Sequence, residues 1–186
     1  MTHFNGTHKI DSLFGKRVVV LGFARQGKAL ARWLPTVGAK AIISDTRTAE
    51  VLGAEMAPFS DSELEFVLGG HPLTLLDQAD VLCISGGVAL DLPIVQEAQA
   101  RGIPLTNDAQ LFLERCPAPV IGITGSAGKT TTTSLTGAIM RQAGYTTHVG
   151  GNIGDVLLDV LPEIKPSDRV VMELSSFQLE IMTHSP

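Results

Sequence analysis

No apolar run in this sequence approaches the roughly 18 residues that a membrane-spanning helix needs. Residues 1–9 contain no apolar core of a secretory leader. Cysteine is scarce: Cys83 and Cys116 stand alone, without zinc or redox spacing, and both read as buried thiols. Positive charge is in deficit, 14 Lys plus Arg against 19 Asp plus Glu for a net charge of −5, which disfavours a protein that tracks a nucleic-acid backbone. Tandem repeats and low-complexity tracts are also missing. These absences predict a cytoplasmic protein with neither a membrane nor a nucleic-acid partner. What is present is a well-stocked core, with 44% hydrophobic and 18% charged residues over 186 positions. That composition suits one ordinary domain and part of a second.

Charge is unevenly spread. Residues 9–47 carry Lys9, Lys16, Arg17, Arg25, Lys28, Arg32, Lys40 and Arg47 against Asp11 and Asp45, whereas residues 48–114 carry eleven acidic groups and only Arg101. The basic segment reads either as a solvated surface or as a local anion site. Short apolar runs alternate with helical stretches, which predicts parallel strands joined by crossover helices. Strands are expected at 16–22, 39–44, 65–68, 80–85 and 103–106, with helices at 25–37, 48–57, 92–101 and 108–115, the last capped by Asn107. Cys116-Pro117-Ala118-Pro119 then makes a stiff connector. Beyond it the alternation restarts, with strands at 120–124, 145–149 and 169–174 and helices at 128–143 and 155–161. Three strands are too few to close a covered sheet, so the second piece reads as an interrupted domain. The expected division is 1–115, a linker at 116–119, and 120–186.

Gly122-Ile123-Thr124-Gly125-Ser126-Ala127-Gly128-Lys129-Thr130-Thr131 carries the strongest chemistry. A strand runs into glycines that let N–H groups converge on phosphate oxygens, and a helix starts at Lys-Thr. Gly125, Ser126, Ala127, Gly128, Lys129, Thr130 and Thr131 are the candidate ATP or GTP contacts. Lys129 suits the β/γ-phosphates, and Thr130 suits Mg²⁺. Ile123 occupies the position of the first glycine in the common Walker A spacing. Glu173, closing the strand that begins at Arg169, is the candidate second metal ligand.

Gly22-Phe23-Ala24-Arg25-Gln26-Gly27 lies where a dinucleotide-binding G-x-G-x-x-G would, with Ala24 in place of the middle glycine. Asp45 ends the next strand, where a ribose-binding acid would sit. A nicotinamide dehydrogenase domain and a site for another diphosphate ligand both fit this turn.

Taken together, the motifs resemble the Mur ligases, which use ATP to join an amino acid to a UDP-linked muramic acid precursor. Residues 124–131 are similar to that family's T-G-[ST]-N-G-K-[ST]-T loop, with Ala127 where asparagine is usual. Gly150-Gly151-Asn152-Ile153-Gly154 and Glu173-Leu174-Ser175-Ser176-Phe177-Gln178-Leu179-Glu180 resemble the D-glutamate-adding branch. Ser44-Asp45-Thr46-Arg47 and Ser85-Gly86-Gly87-Val88-Ala89-Leu90 extend the likeness into the first domain, with Gly86 where proline is common. The implied fold is α/β: a Rossmann-like parallel-sheet domain followed by an incomplete P-loop α/β domain. The implied ligands are UDP-N-acetylmuramoyl-L-alanine, D-glutamate, ATP and Mg²⁺, bound by a monomer.

The likeness assigns roles residue by residue. Asp45 and Thr46 would meet uracil, while Gly22, Arg25, Gln26, Ser85 and Gly87 would follow the diphosphate and sugar. Asn152 and Ser175 would face the muramoyl-alanine end. Lys129, Thr130 and Glu173 would be the catalytic set, with Thr130 and Glu173 holding the metal. The family's remaining metal-binding histidine and lysine, and its D-glutamate-binding domain, would lie past Glu180, so the chain alone is expected to be inactive. His71, His148 and His184 read as non-catalytic. A non-catalytic UDP-sugar or nucleotide binder, or a sister ligase with a different amino acid, remains the alternative.

Overall fold

The computed structural model describes residues 10–186; Lys9 of the basic segment and the opening residues 1–8 lie outside them. Five strands, β1 (Arg17–Leu21), β2 (Lys40–Asp45), β3 (Glu65–Leu68), β4 (Val81–Ile84) and β5 (Leu105–Thr106), form one parallel sheet in the order β3-β2-β1-β4-β5. The chain builds outward from β1 on one side, then returns to its other side at β4. That reversal leaves a crevice beyond the carboxyl ends of the strands. Register aligns those ends: Leu21 lies beside both Ser44 and Ile84. Residues 22–24, 45–47 and 85–89 therefore emerge along one rim.

The helices of this unit are α1 (Arg25–Thr36), α2 (Ala49–Met56), α3 (Pro93–Ala100) and α4 (Asp108–Leu113). Val18 and Val20 pack into one core cluster and Val19 and Leu21 into another, the mark of a strand covered on both faces. Asn107 caps α4 as expected, accepting from the Gln110 N–H at 2.8 Å. Cys83 is fully buried, and burial pushes its thiol pKa up; Cys116 is only half-buried, its Sγ 3.5 Å from the Ala118 carbonyl.

The second sheet contains β6 (Val120–Ile123), β7 (Thr147–Gly151) and β8 (Arg169–Glu173), parallel in the order β6-β8-β7. Helices α5 (Lys129–Gln142), α6 (Leu157–Val160) and α7 (Ser176–Ile181) accompany it. Two local expectations are corrected here. The strand expected at 145–149 is shifted to Thr147–Gly151, because Tyr145 N–H closes the end of α5 on Met140 O at 3.1 Å. Its glycines permit what strand propensity argues against. A Cβ on Gly150 would lie 2.3 Å from Asp155 O, and one on Gly151 2.5 Å from Glu173 O. The helix expected at 155–161 is a single turn, since Val156 is extended and a 3₁₀ turn containing Pro162 follows. Finally α7, which the strand pattern did not anticipate, starts at a capping box between Ser175 and Gln178.

One hydrophobic cluster crosses both sheets. Leu157 and Leu158 of α6 join Leu30 and Leu34 of α1, Phe112 of α4, and Val170 and Met172 of β8. Ala118 of the proline-rich connector is buried in the same cluster. No helix among the described residues is long and apolar enough to cross a membrane.

Candidate functional site

The glycine loop after β6 takes the backbone its composition invites. Gly125 (φ 151°) and Gly128 (φ 76°) occupy positive-φ conformations, and Gly128 is the N-cap of the 14-residue α5. The first N–H groups of α5 lack intrahelical partners and face this loop with the positive end of the helix dipole. Lys129 curls back so that Nζ donates to Gly125 O at 2.8 Å. An ammonium beside a helix N-terminus suits phosphate oxygens.

Register places the acidic end of β8 beside this loop: Ile123 lies opposite Glu173, and Glu173 opposite Gly151. The Glu173 carboxylate is buried, 1% exposed, and holds two side chains. Thr130 Oγ1 donates to Oε2 at 3.1 Å, and Asn152 Nδ2 donates to Oε1 at 3.2 Å. Thr130 and Glu173 thus present adjacent hard oxygen donors. Among the described residues no cluster of three or more His, Cys, Asp or Glu could form an all-protein metal cage. One carboxylate and one hydroxyl beside a phosphate loop is the donor set Mg²⁺ takes when phosphates and water complete its shell. The residues fit that ion.

The rim of the first sheet encloses a cavity of about 520 Å³. Its walls include Gly22, Asp45, Thr46, Ser85 and Gly87 from the sequence-based set, together with Arg47 and His71. Gly22 (φ 89°) makes the turn, and Gly27 lets α1 approach it: a Cβ on Gly27 would lie 1.9 Å from Gly22 O. Ser85 Oγ donates to the same carbonyl at 3.2 Å. Gln26 is buried behind this wall, its amide packed under Gly86.

Asp45 is tightly held. Oδ1 accepts from Arg47 N and Nε, both at 2.9 Å; Oδ2 accepts from Phe23 N at 2.7 Å and Arg47 Nη2 at 2.9 Å. The Arg47 guanidinium leads the causes that hold its pKa far below the usual carboxylate range. All four of these hydrogen bonds come from Phe23 and Arg47, and Asp45 also lines the cavity wall. Asp45 shapes the pocket through Phe23 and Arg47.

Four side chains of the basic segment form ion pairs. Arg17 meets Glu65, Lys28 meets Glu55, Arg32 meets Asp159, and Arg47 meets Asp45 and Glu55. Arg25 instead donates to the carbonyls of Gly151, Asn152 and Gly154 across the inter-sheet junction, and it does not line the cavity. Ser175 is likewise engaged: its hydroxyl accepts from Gln178 N and donates to Gln178 Oε1, each at 3.2 Å.

Two pocket residues escaped the sequence reading. His71, read as ordinary, lies at the rim with Nδ1 2.8 Å from Ser44 Oγ, and burial lowers its pKa. No spacing signal links it to Ser44, 27 residues earlier. Arg47 stood in the quoted Ser44-Asp45-Thr46-Arg47 stretch, where alternation from Asp45 was the available signal. His148 ties β7 to the Asp168 turn at 3.0 Å.

Residues 16–107 match the family described as Mur ligase MurD-like, N-terminal domain, and residues 123–184 match the Mur ligase middle domain. The chain belongs to the Mur ligase family. This Mur ligase chain is 39% identical over 168 residues to the UDP-N-acetylmuramoylalanine–D-glutamate ligase of Geotalea uraniireducens, covering 90% of the chain and 37% of that relative. It is 40% identical over 171 residues to the same-named protein of Symbiobacterium thermophilum, covering 92% and 38%. The Mur ligase chain therefore spans little more than a third of the length of the curated relatives it matches. Among solved structures it is similar to a pseudomurein peptide ligase type C from Methanothermus fervidus, with 28% identity, a TM-score of 0.49, and 87% of this chain and 33% of that one covered.

Proposed function

We propose that this chain supplies the UDP-substrate and ATP sites of a ligase that adds D-glutamate to UDP-N-acetylmuramoyl-L-alanine. The observation that carries this reading is the Thr130–Glu173 contact beside the Gly125–Gly128 loop, a metal-phosphate half-site one sheet away from a nucleotide-sized cavity. The names of the D-glutamate ligases it resembles support the substrate assignment. The working division is a UDP-sugar unit at 1–115, a connector at 116–119 and an ATP unit at 120–186, in a cytoplasmic monomer.

In this reading the substrate carboxylate attacks the γ-phosphorus of ATP. The new P–O bond gives an acyl phosphate as the bond to ADP breaks. The amine of D-glutamate then attacks the acyl carbon, and phosphate leaves. Residues 125–131 cradle the phosphates, and Lys129 neutralises charge that grows on the transferring oxygens. Thr130 and Glu173 would hold Mg²⁺, which supplies further charge neutralisation when bound. Gly22, Ser85 and Gly87 border the diphosphate and sugar, with Gln26 supporting that wall, and Thr46 meets the uracil edge. Asn152 and Ser175 are the residues nearest the muramoyl-alanine end, and Arg25 acts between the two sites.

Calorimetric titration with UDP-N-acetylmuramoyl-L-alanine, UDP, NAD and Mg·ATP tests the reading. Binding of both UDP ligands and of ATP, with Lys129→Ala removing only ATP, is the expected outcome. NAD binding without UDP binding would restore the dehydrogenase reading.

A further inference from the structure

Arg25 is chemically out of place. A cation in the first turn of α1 opposes the helix dipole, and this one is exposed at a position where an acid would be favoured. Lys28, Arg32 and Arg47 have carboxylate partners, whereas the acceptors of Arg25 are three neutral carbonyls from the other sheet. Nη1 donates to Gly154 O, and Nη2 donates to Asn152 O and, at 3.4 Å, to Gly151 O.

Those carbonyls converge because the chain turns sharply there. Gly151 (φ 111°) and Gly154 (φ 65°) both need the positive-φ region, and Gly151 N–H closes the turn on Asp155 O at 3.0 Å. Asn152 faces both ways. Its carbonyl receives Arg25, its N–H donates to Glu173 O at 2.9 Å, and its side-chain amide donates to Glu173 Oε1 at 3.2 Å. A continuous set of contacts thus runs from the cavity wall at Phe23 and Ala24, through Arg25 and Asn152, to Glu173 and Thr130.

We infer that Arg25 is a positioning residue for Glu173, holding the 151–154 turn so that Asn152 fixes the carboxylate beside Thr130, and thereby ties the first-sheet cavity to the metal side of the phosphate loop. The inference rests on the reading of residues 125–131 and Glu173 as an Mg·nucleotide site. Its physical basis is restraint: without the guanidinium, the turn keeps its backbone bonds, but the Asn152 amide is free to leave Glu173 for water. A carboxylate that must be reoriented at each binding event has lower metal affinity than one already placed.

The test uses the 186-residue chain, its Arg25→Ala, Arg25→Lys and Asn152→Ala variants, and the Arg25→Ala/Asn152→Ala double variant. ATP affinity is measured with Mg²⁺ and with chelator. Arg25→Ala should weaken Mg·ATP binding roughly five- to tenfold, the loss of about one charge-assisted hydrogen bond. Metal-free ATP binding should be unchanged. Lysine, which can satisfy only part of the carbonyl set, should rescue partly, and the double variant should bind no worse than Asn152→Ala. Equal losses with and without Mg²⁺, or additive losses, would overturn the inference.

Amide exchange supplies a readout that needs no ligand: Arg25→Ala should speed exchange of the Asn152 side-chain amide, bonded to Glu173 Oε1, while leaving the Gln178 N–H, bonded to Ser175 Oγ, protected. Unchanged exchange at Asn152 would overturn the inference whatever the nucleotide data. Accelerated exchange in a chain that binds no ATP at all would support the tie and refute the phosphate-loop reading instead.

Discussion

Gln178 Nε2 donates to Asp108 Oδ1 at 3.2 Å, joining the first turn of α7 to the first turn of α4 across the two sheets. Both side chains are buried, Asp108 at 3% exposure. Asn107 Nδ2 donates to the Gln178 carbonyl at 3.0 Å, and Gln178 Oε1 accepts from Ser175 N at the same distance. The capping box of one unit is therefore anchored on the helix start of the other.

Burial pushes the Asp108 carboxyl up to about 6, against the lowering effects of Gln178, nearby N–H groups and Arg25. A folded-state pKa above the unfolded value means the native state takes up the proton first. Stability gained from this group is complete below about pH 3.8 and is lost as pH rises through about 6. The gap corresponds to ~3 kcal/mol, so Asp108→Asn should be more stable than wild type near pH 7, with the advantage vanishing near pH 4. Urea midpoints of both proteins at several pH values check this, and the difference removes the opposing contribution of His71, whose pKa burial lowers. A constant difference across pH would refute it.

Asp45→Ala should cost about 1.5–3 kcal/mol of stability, because Phe23 N–H and the Arg47 fork lose a buried charged acceptor together. UDP affinity should fall roughly tenfold or more as the rim loosens. Since the folded pKa is lowered, this carboxylate's stabilisation is present above its unfolded value near 3.8 and is lost in more acidic solution. Acid titration followed by tryptophan fluorescence should show wild type losing more stability than the variant below that point, since Asp11 and Asp168, whose pKa values are also lowered, remain in both.

Gly27→Ala should unfold the cavity wall. Its Cβ would meet backbone, Gly22 O at 1.9 Å, which cannot give way as a side chain can. A cost of ~3 kcal/mol and loss of UDP binding are expected. Gly87→Ala meets nothing within 4 Å but has φ 88°, so a strain penalty of about 1–2 kcal/mol with a surviving cavity is expected. Melting temperatures and UDP titration separate the two.

Glu173→Gln keeps an oxygen for the Thr130 hydroxyl but removes the charge. Mg²⁺-dependent ATP binding should fall at least about tenfold, as expected for losing a charged ligand group, while binding in chelator persists. Equal affinity with Mg²⁺ in both proteins would remove Glu173 from the metal site.

Sequence alone determined the features whose causes are contiguous. Short apolar runs between turn residues located the strands, Asn107 announced its cap, and the spacing from Gly125 to Thr130 announced a phosphate loop, because each depends on residues within a turn or two. Even the α7 start was written locally, in Ser175 and Gln178. Tertiary structure decided the rest through strand order and register. Pairing Ile123 with Glu173 brought Thr130 to its carboxylate 43 residues away, and the return of β4 to β1 brought Ser85 to Gly22. His71 reached Ser44 only because β3 lies beside β2, and Arg25 left the cavity because α6 packs on α1 and carries the 151–154 turn to it. Which acceptor captures a long cationic side chain depends on distances across the core, and those arise from burying apolar faces that local sequence leaves unpaired.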